Sequence, residues 1–316
     1  MAAYRFDRAH ELVLNDALTR DQIRRRLQEV GLQDWEAAYK RLVSLAEDEQ
    51  TRKLLADCLP ALMAALNDAA TPDTALISFE RFVQAVPNRQ ELFQYFQGHP
   101  RAIEILIRIV VGSQFLAEIL ISNPDYLKKV AQHRKLAELK SRPQFFEEAE
   151  EAVAGLKDEE EQLDALRQMQ RWELLRLGAC DCFATINLKA VTIQLSLLAD
   201  SLVQSCLTLG SKRTGIPMEG FAVLAMGKLG GEELNYSSDI DLIFLARENA
   251  NAFSPLGQRL IRGLIHPTRS GFLYRVDMRL RPWGNSGPLV ATVESHLEYL
   301  RTKAMLWEKQ AMLKRG

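Results

Sequence analysis

At Gly220 the hydrophobic period of this 316-residue chain changes, and that change limits the possible folds more than any other feature. Before it, apolar residues recur every three or four positions, the spacing of one helical face. After it come short runs suited to strands. These are Phe221 to Met226, Ile240 to Leu245, and Phe272 to Leu280, where apolar and charged residues alternate. Between the last two, Ser254-Pro255 opens a helix whose Leu256, Leu260, Leu264 and Ile265 are spaced to pack on a sheet. The expected class is α+β, a helical N-terminal region followed by a small mixed sheet with flanking helices. The length suits about two domains. The expected segments are a helical extension over 1–75, a helical region over 76–215 and a sheet-bearing domain over 216–316.

The helical part carries its own punctuation. Thr19 begins a capping box with Gln22, Ile23, Leu27 and Val30 share a face, and Gly31 stops the helix. Trp35, Ala38, Tyr39, Leu42 and Leu45 repeat the spacing. Pro72, Pro87, Pro100, Pro124 and Pro143 fall near helix ends, and Asn123-Pro124-Asp125 suits an N-cap with proline in the first turn. From Phe146 to Asp164 the chain is strongly acidic, which reads as a solvated connector rather than a docking surface. A long helical stretch from Leu163 to about Leu209 follows, broken at Gly178.

Composition narrows the function. Lys plus Arg number 40 against 41 Asp plus Glu, so the bulk positive field of a nucleic-acid binder is missing. The N-terminus lacks the apolar core of a signal peptide, and Ala102 to Ser122, the most apolar stretch, is interrupted by Glu104, Arg108 and Glu118. Neither a membrane nor nucleic acid is an expected partner, and the expected compartment is the cytoplasm. Four cysteines give no disulfide framework, and Cys180 and Cys182 read as buried thiols on a helix. The histidines His10, His99, His133, His266 and His296 are scattered without zinc spacing.

The chemistry gathers after Gly220. Asp239-Ile240-Asp241-Leu242 lies on the second strand, so both carboxylates project from one face while Ile240 and Leu242 enter the core. Two such acids repel and lose hydration unless a cation joins them, and Mg²⁺, with Mn²⁺ as alternative, suits oxygen ligands and phosphates. On the third strand Tyr274, Val276, Met278 and Leu280 alternate with Arg275, Asp277, Arg279 and Arg281. Asp277 is placed to meet Asp239 and Asp241, and Arg279 and Arg281 are suited to phosphate oxygens. The alternative is an edge strand with solvated acids beside a charged strand.

Upstream, Gly227-Lys228-Leu229-Gly230-Gly231 ends the first strand, and its glycines let backbone amides approach a phosphate. The order is not that of a Walker A loop. Ser237 and Ser238 are further candidate phosphate donors, and Gly284-Asn285-Ser286-Gly287 is a turn.

Leu229-Gly230-Gly231, a spacer, and Asp239-Ile240-Asp241-Leu242 resemble the signature of the polymerase-beta-like nucleotidyltransferase superfamily. The longer stretch Gly227 to Leu242, with Tyr274 to Pro282, resembles the two signatures of the glutamine synthetase adenylyltransferase / adenylyl-removing enzyme family (glutamate–ammonia ligase adenylyltransferases). Weaker similarity reaches back to about Phe79. Family members carry two catalytic halves, and Asn235 with Gly287-Pro288-Leu289 makes this chain resemble the N-terminal one. That half removes AMP from a tyrosine of glutamine synthetase by phosphorolysis, releasing ADP. The chain stops at Gly316 where relatives continue, so a fragment of a longer protein or a truncated product is expected.

The resemblance implies a polymerase-beta-like nucleotidyltransferase domain with Asp239, Asp241 and Asp277 as metal-binding carboxylates. Lys228, Gly230, Gly231, Ser237, Ser238, Arg279 and Arg281 would contact nucleotide phosphates. ADP or ATP is the implied nucleotide, glutamine synthetase the protein substrate, and a PII-type signalling protein a candidate second partner. Adenylylation from ATP by the same site, or a non-catalytic nucleotide-sensing module, are the alternatives.

Overall fold

The computed structural model describes residues 2–132 and 135–313. They group into two compact units, 1–136 with 178–183, and 137–177 with 184–316. This division follows packing, whereas the segments at 75/76 and 215/216 follow sequence character. His133 lies outside the described residues.

The first unit is helical. After a 3-10 stretch at Ala2–His10 come α1 (Glu11–Leu14), α2 (Arg20–Glu29), α3 (Trp35–Ser44), α4 (Glu49–Asn67) and α5 (Pro72–Ala85). Then follow α6 (Arg89–Gly98), α7 (Arg101–Gly112), α8 (Gln114–Ser122) and α9 (Tyr126–Gln132). The Thr19–Gln22 capping box is formed, and Ile23, Leu27 and Val30 are buried along one face. Gly31 turns the chain with φ +91°. Asn123 serves the preceding helix instead of starting the next, since its Nδ2 donates to the Ile119 carbonyl at 2.9 Å.

In the second unit α10 (Arg142–Val153) leads to α11 (Glu159–Cys182), whose last residues from Gly178 count with the first unit, and to α12 (Leu188–Thr214). The expected break at Gly178 is absent. A Cβ there would stand 2.3 Å from Leu116 Cδ1, so this glycine makes room for a neighbour and the helix runs on to Cys182. The interruption falls at 183–187. Cys180 is buried, and its thiol donates to the Leu136 carbonyl at 3.3 Å. By length and composition α12 could cross a membrane, but 67% of its apolar window is buried, as in a core helix.

The sheet is mixed and four-stranded. β1 (Phe221–Met226) pairs antiparallel with β2 (Ile240–Ala246), which pairs parallel with both β3 (Val276–Asp277) and β4 (Val290–Thr292). The third strand is far shorter than the Phe272–Leu280 alternation suggests. Leu273 and Tyr274 both donate backbone N–H to Leu264 O, and Arg279 N–H turns back to Asp277 Oδ1, leaving two residues for the ladder. β4 is an addition to the sequence expectation. α13 (Gly227–Gly230) follows β1, and α14 (Ala250–Ile265) lies between β2 and β3. That helix starts four residues before Ser254, with Pro255 inside it. Leu256, Leu260 and Leu264 are fully buried, whereas Ile265 is exposed at the helix end. α15 (Val293–Thr302) and α16 (Leu306–Ala311) complete the unit. On the face of β2 that carries Asp241, Ile243 and Leu245 join Met226 and Ala291 in an apolar cluster that Leu280 and Met312 flank.

Candidate active site

The register places the acids. Met226 of β1 stands opposite Asp241, and Asp241 opposite Asp277, so the carboxylate positions fall on adjacent strands at one end of the sheet. Asp239 precedes β2 by one residue, and the strand is anchored there by Ile240 N–H donating to the Arg275 carbonyl at 2.9 Å. Ile240 and Leu242 are fully buried, which fixes Asp241 on the opposite face.

The three acids have different surroundings. Burial, and then the like charges of Asp277 and Asp239, push the Asp241 carboxyl above its usual range, while Arg279 and Lys228 act in the other direction. The Arg279 guanidinium holds the Asp277 carboxyl below the usual range. Arg279 reaches Asp277 Oδ2 through Nε at 2.8 Å and Nη2 at 2.5 Å. Asp239 accepts from Arg275 Nε at 2.5 Å. Among the described residues no group of three His, Cys, Asp or Glu side chains stands ready around a common ion position.

The residues nevertheless fit a hard divalent cation. The donor set is three carboxylates, and Gly227 leaves room for the middle one, since a Cβ there would lie 2.3 Å from Asp241 Oδ2. Gly227 adopts φ +56°, a conformation that also favours glycine.

Lys228 is exposed, and its positive charge bears on Asp241. The Gly231 amide is occupied within the turn, donating to the Gly227 carbonyl at 3.1 Å, and Gly230 closes the four-residue α13, too short for a helix dipole of consequence. Ser237 offers its carbonyl to Arg275 Nη2 at 3.2 Å, and the Ser238 hydroxyl accepts from Asn235 N–H at 3.2 Å. Arg281 turns into the 278–285 bend, donating to the Met278 and Asn285 carbonyls at 3.2 and 3.3 Å.

Two supports were missed in the sequence. Buried Ser196 on α12 accepts from the Leu234 N–H at 3.2 Å and donates to the Thr192 carbonyl at 2.9 Å, so it tethers the loop between Gly231 and Asp239. Its signal was a hydroxyl at a buried phase of an apolar helix. The second lies at the end of the acidic run, whose other acids are exposed or half-exposed as a solvated stretch requires, while its last one is not. Asp164 is buried and accepts from Thr268 Oγ1 at 2.6 Å, Arg269 Nε at 2.9 Å and Ser270 N–H at 3.0 Å. Further along α11, Gln170 donates to the Leu273 carbonyl at 2.7 Å and Arg171 to the Ser270 carbonyl at 3.3 Å. Arg167 donates to the His266 carbonyl. One stripe of α11 therefore holds the segment that delivers β3 and Asp277. Asp between Leu163 and Leu166, in phase with the apolar face, was its signal.

The family model described as glutamate-ammonia ligase adenylyltransferase matches residues 103–315. Three curated relatives share the description bifunctional glutamine synthetase adenylyltransferase/adenylyl-removing enzyme. The one from Thioalkalivibrio sulfidiphilus is 31% identical, over 91% of this chain and 33% of its own length. That from Psychromonas ingrahamii is 36% identical over 80% and 28%, and that from Pseudomonas putida 30% over 92% and 33%. The chain thus spans about a third of the length of these relatives.

Proposed function

Because the chain belongs to the glutamate-ammonia ligase adenylyltransferase family, we propose that it is a metal-assisted nucleotidyltransferase acting on glutamine synthetase. The observation that carries this reading is the pairing of Asp241 with Asp277 on neighbouring strands, with Asp239 at the entry and arginines beside two of the three acids. The proposed direction is removal of AMP from an adenylylated tyrosine, and it rests on the resemblance of Asn235 and Gly287-Pro288-Leu289 to the removing half.

In that reaction an oxygen of inorganic phosphate forms a bond to the adenylyl phosphorus while the bond to the tyrosine oxygen breaks. ADP leaves, and the proton carried by the phosphate ends on the tyrosine oxygen. Phosphate is already anionic at neutral pH, so positioning and charge neutralisation matter more than a strong base. Asp239, Asp241 and Asp277 would hold Mg²⁺ or Mn²⁺, which supplies positive charge to the reacting phosphate oxygens. Lys228 and Arg279, whose charges both bear on Asp241, would contact phosphates as charge builds up.

The test is ADP release from adenylylated glutamine synthetase with phosphate and Mg²⁺, with Asp241→Asn alongside. Wild-type release, lowered more than about a hundredfold in the variant, is expected. Equal release from both would remove the carboxylates from the reaction. AMP incorporation from ATP into unmodified glutamine synthetase, without ADP release, would reverse the direction.

A further inference from the structure

An arginine stands against each outer carboxylate of the site. Arg275 Nε meets Asp239 at 2.5 Å, and Arg279 meets Asp277 at 2.8 and 2.5 Å through two nitrogens. Among the described residues no ion pair joins Asp241, the acid between them. The Arg279 side chain is 77% exposed while the Asp277 side chain is 18% exposed, so the guanidinium reaches in from solvent. Arg275, at 64%, is as open, and its second bond is to the Ser237 carbonyl at 3.2 Å. Either side chain can therefore leave by rotating its own stem, without moving a strand.

We infer that Arg275 and Arg279 are placeholder cations. They occupy the outer carboxylates while no divalent ion is bound, and they transfer to the nucleotide phosphates once an ion neutralises the acids. The inference rests on the metal site of the proposed function and extends it to Arg275, which becomes a phosphate-binding residue. The charges match this exchange. Three carboxylates face three cationic side chains, Arg275, Arg279 and Lys228, and Arg279 and Lys228 both bear on Asp241. When divalent ions satisfy the acids, those side chains are freed just as a polyanionic nucleoside diphosphate needs partners. A guanidinium that must be displaced weakens binding of the metal alone, yet it strengthens binding of metal with nucleotide. The two effects have opposite sign.

The experiment is titration of the full chain with Mn²⁺ followed by electron paramagnetic resonance, without nucleotide and again with ADP. Wild type, Arg275→Gln, Arg279→Gln and Asp241→Asn are compared, with circular dichroism confirming the fold of each. Both glutamine variants are expected to bind Mn²⁺ alone about two- to fivefold more tightly. With ADP present they are expected to bind the metal–nucleotide pair about tenfold more weakly. Unchanged or weaker Mn²⁺ affinity without nucleotide overturns the placeholder role, because a plain structural or phosphate-binding arginine gives no gain. Unchanged affinity with ADP overturns the transfer to phosphate. An Asp241→Asn protein that binds Mn²⁺ as the wild type does is a different failure, that of the metal site itself.

Discussion

The two units of this chain use polar side chains in opposite ways. Among the described residues, the buried polar groups of the first unit are Thr51 and Glu80. The second unit buries Asp164, Arg167, Gln170, Glu173, Arg176, Gln194, Ser196, Ser201, Ser205 and His296. Its polar groups cost desolvation and return a defined position for whatever they bind. The first unit is held by periodic apolar faces, where any well-packed hydrophobe of the right size serves. The difference teaches that apolar packing makes a scaffold, while buried polar contacts aim particular backbone segments, here 264–274 and 231–239.

If so, damage to the first unit should lower stability and leave the kinetics of folded molecules alone. Phe79 is fully buried and stacked on Phe96 with ring centroids 6.2 Å apart. Phe79→Ala is expected to cost about 3–5 kcal/mol in denaturant unfolding. Turnover per folded molecule should stay at the wild-type value, and a large rise in KM would break the contrast.

Asp164→Ala is the matching test in the second unit. Removing the acceptor of four hydrogen bonds, three of them from 268–270, should cost about 2–3 kcal/mol, and KM for nucleotide should rise as the segment before β3 loosens. The hydrogen bonds from Thr268, Arg269 and Ser270 outweigh the effect of burial and hold the Asp164 carboxyl well below its usual range. A depressed folded pKa means that this contribution is present above the ordinary carboxylate range and lost as pH falls below it. Melting temperature should therefore fall on acidification more steeply for wild type than for Asp164→Asn. Parallel curves would assign the acid sensitivity elsewhere.

Ser196→Ala should be milder, about 1–2 kcal/mol, because it orphans the Leu234 N–H and removes little volume. Its signature is faster hydrogen exchange at the Leu234 amide with a raised KM, and Ser196→Thr should restore both. Smallest of all, Thr19→Ala removes one reciprocal cap, for about 1 kcal/mol and no kinetic change. A kinetic effect of that substitution would show that the first unit does more than support.

These cases explain what was legible in the sequence. β1 and β2 were readable because Gly220, Gly227 and Asp239 bound continuous apolar runs, and the alternation of Asp239, Ile240, Asp241 and Leu242 set the face of the acids. β4 was not, since Val290-Ala291-Thr292 is too short to show a period, and its partner is 46 residues away at Phe244↔Val290. β3 was overestimated because alternation describes the side chains, while pairing needs free backbone, which Arg279 and Leu273 direct elsewhere. Gly178 was misjudged because a glycine that admits a neighbour looks, in sequence, like one that ends a helix. Asp164, at the end of the acidic run, was missed for a similar reason: composition does not reveal that its partners Thr268 and Arg269 lie more than 100 positions later. Local rules locate elements well and long-range polar partners poorly.

The second unit is assembled from two stretches, 137–177 and 184–316. That has a practical consequence for anyone wishing to shorten this chain. A piece beginning at Gly220 would keep every strand and all three acids, and would look like a self-sufficient module. It would lack Asp164, Gln170 and Ser196, and with them the grips on the loops that carry the acids into register. The smallest portable form of the site therefore begins before α10, some eighty residues ahead of the first strand.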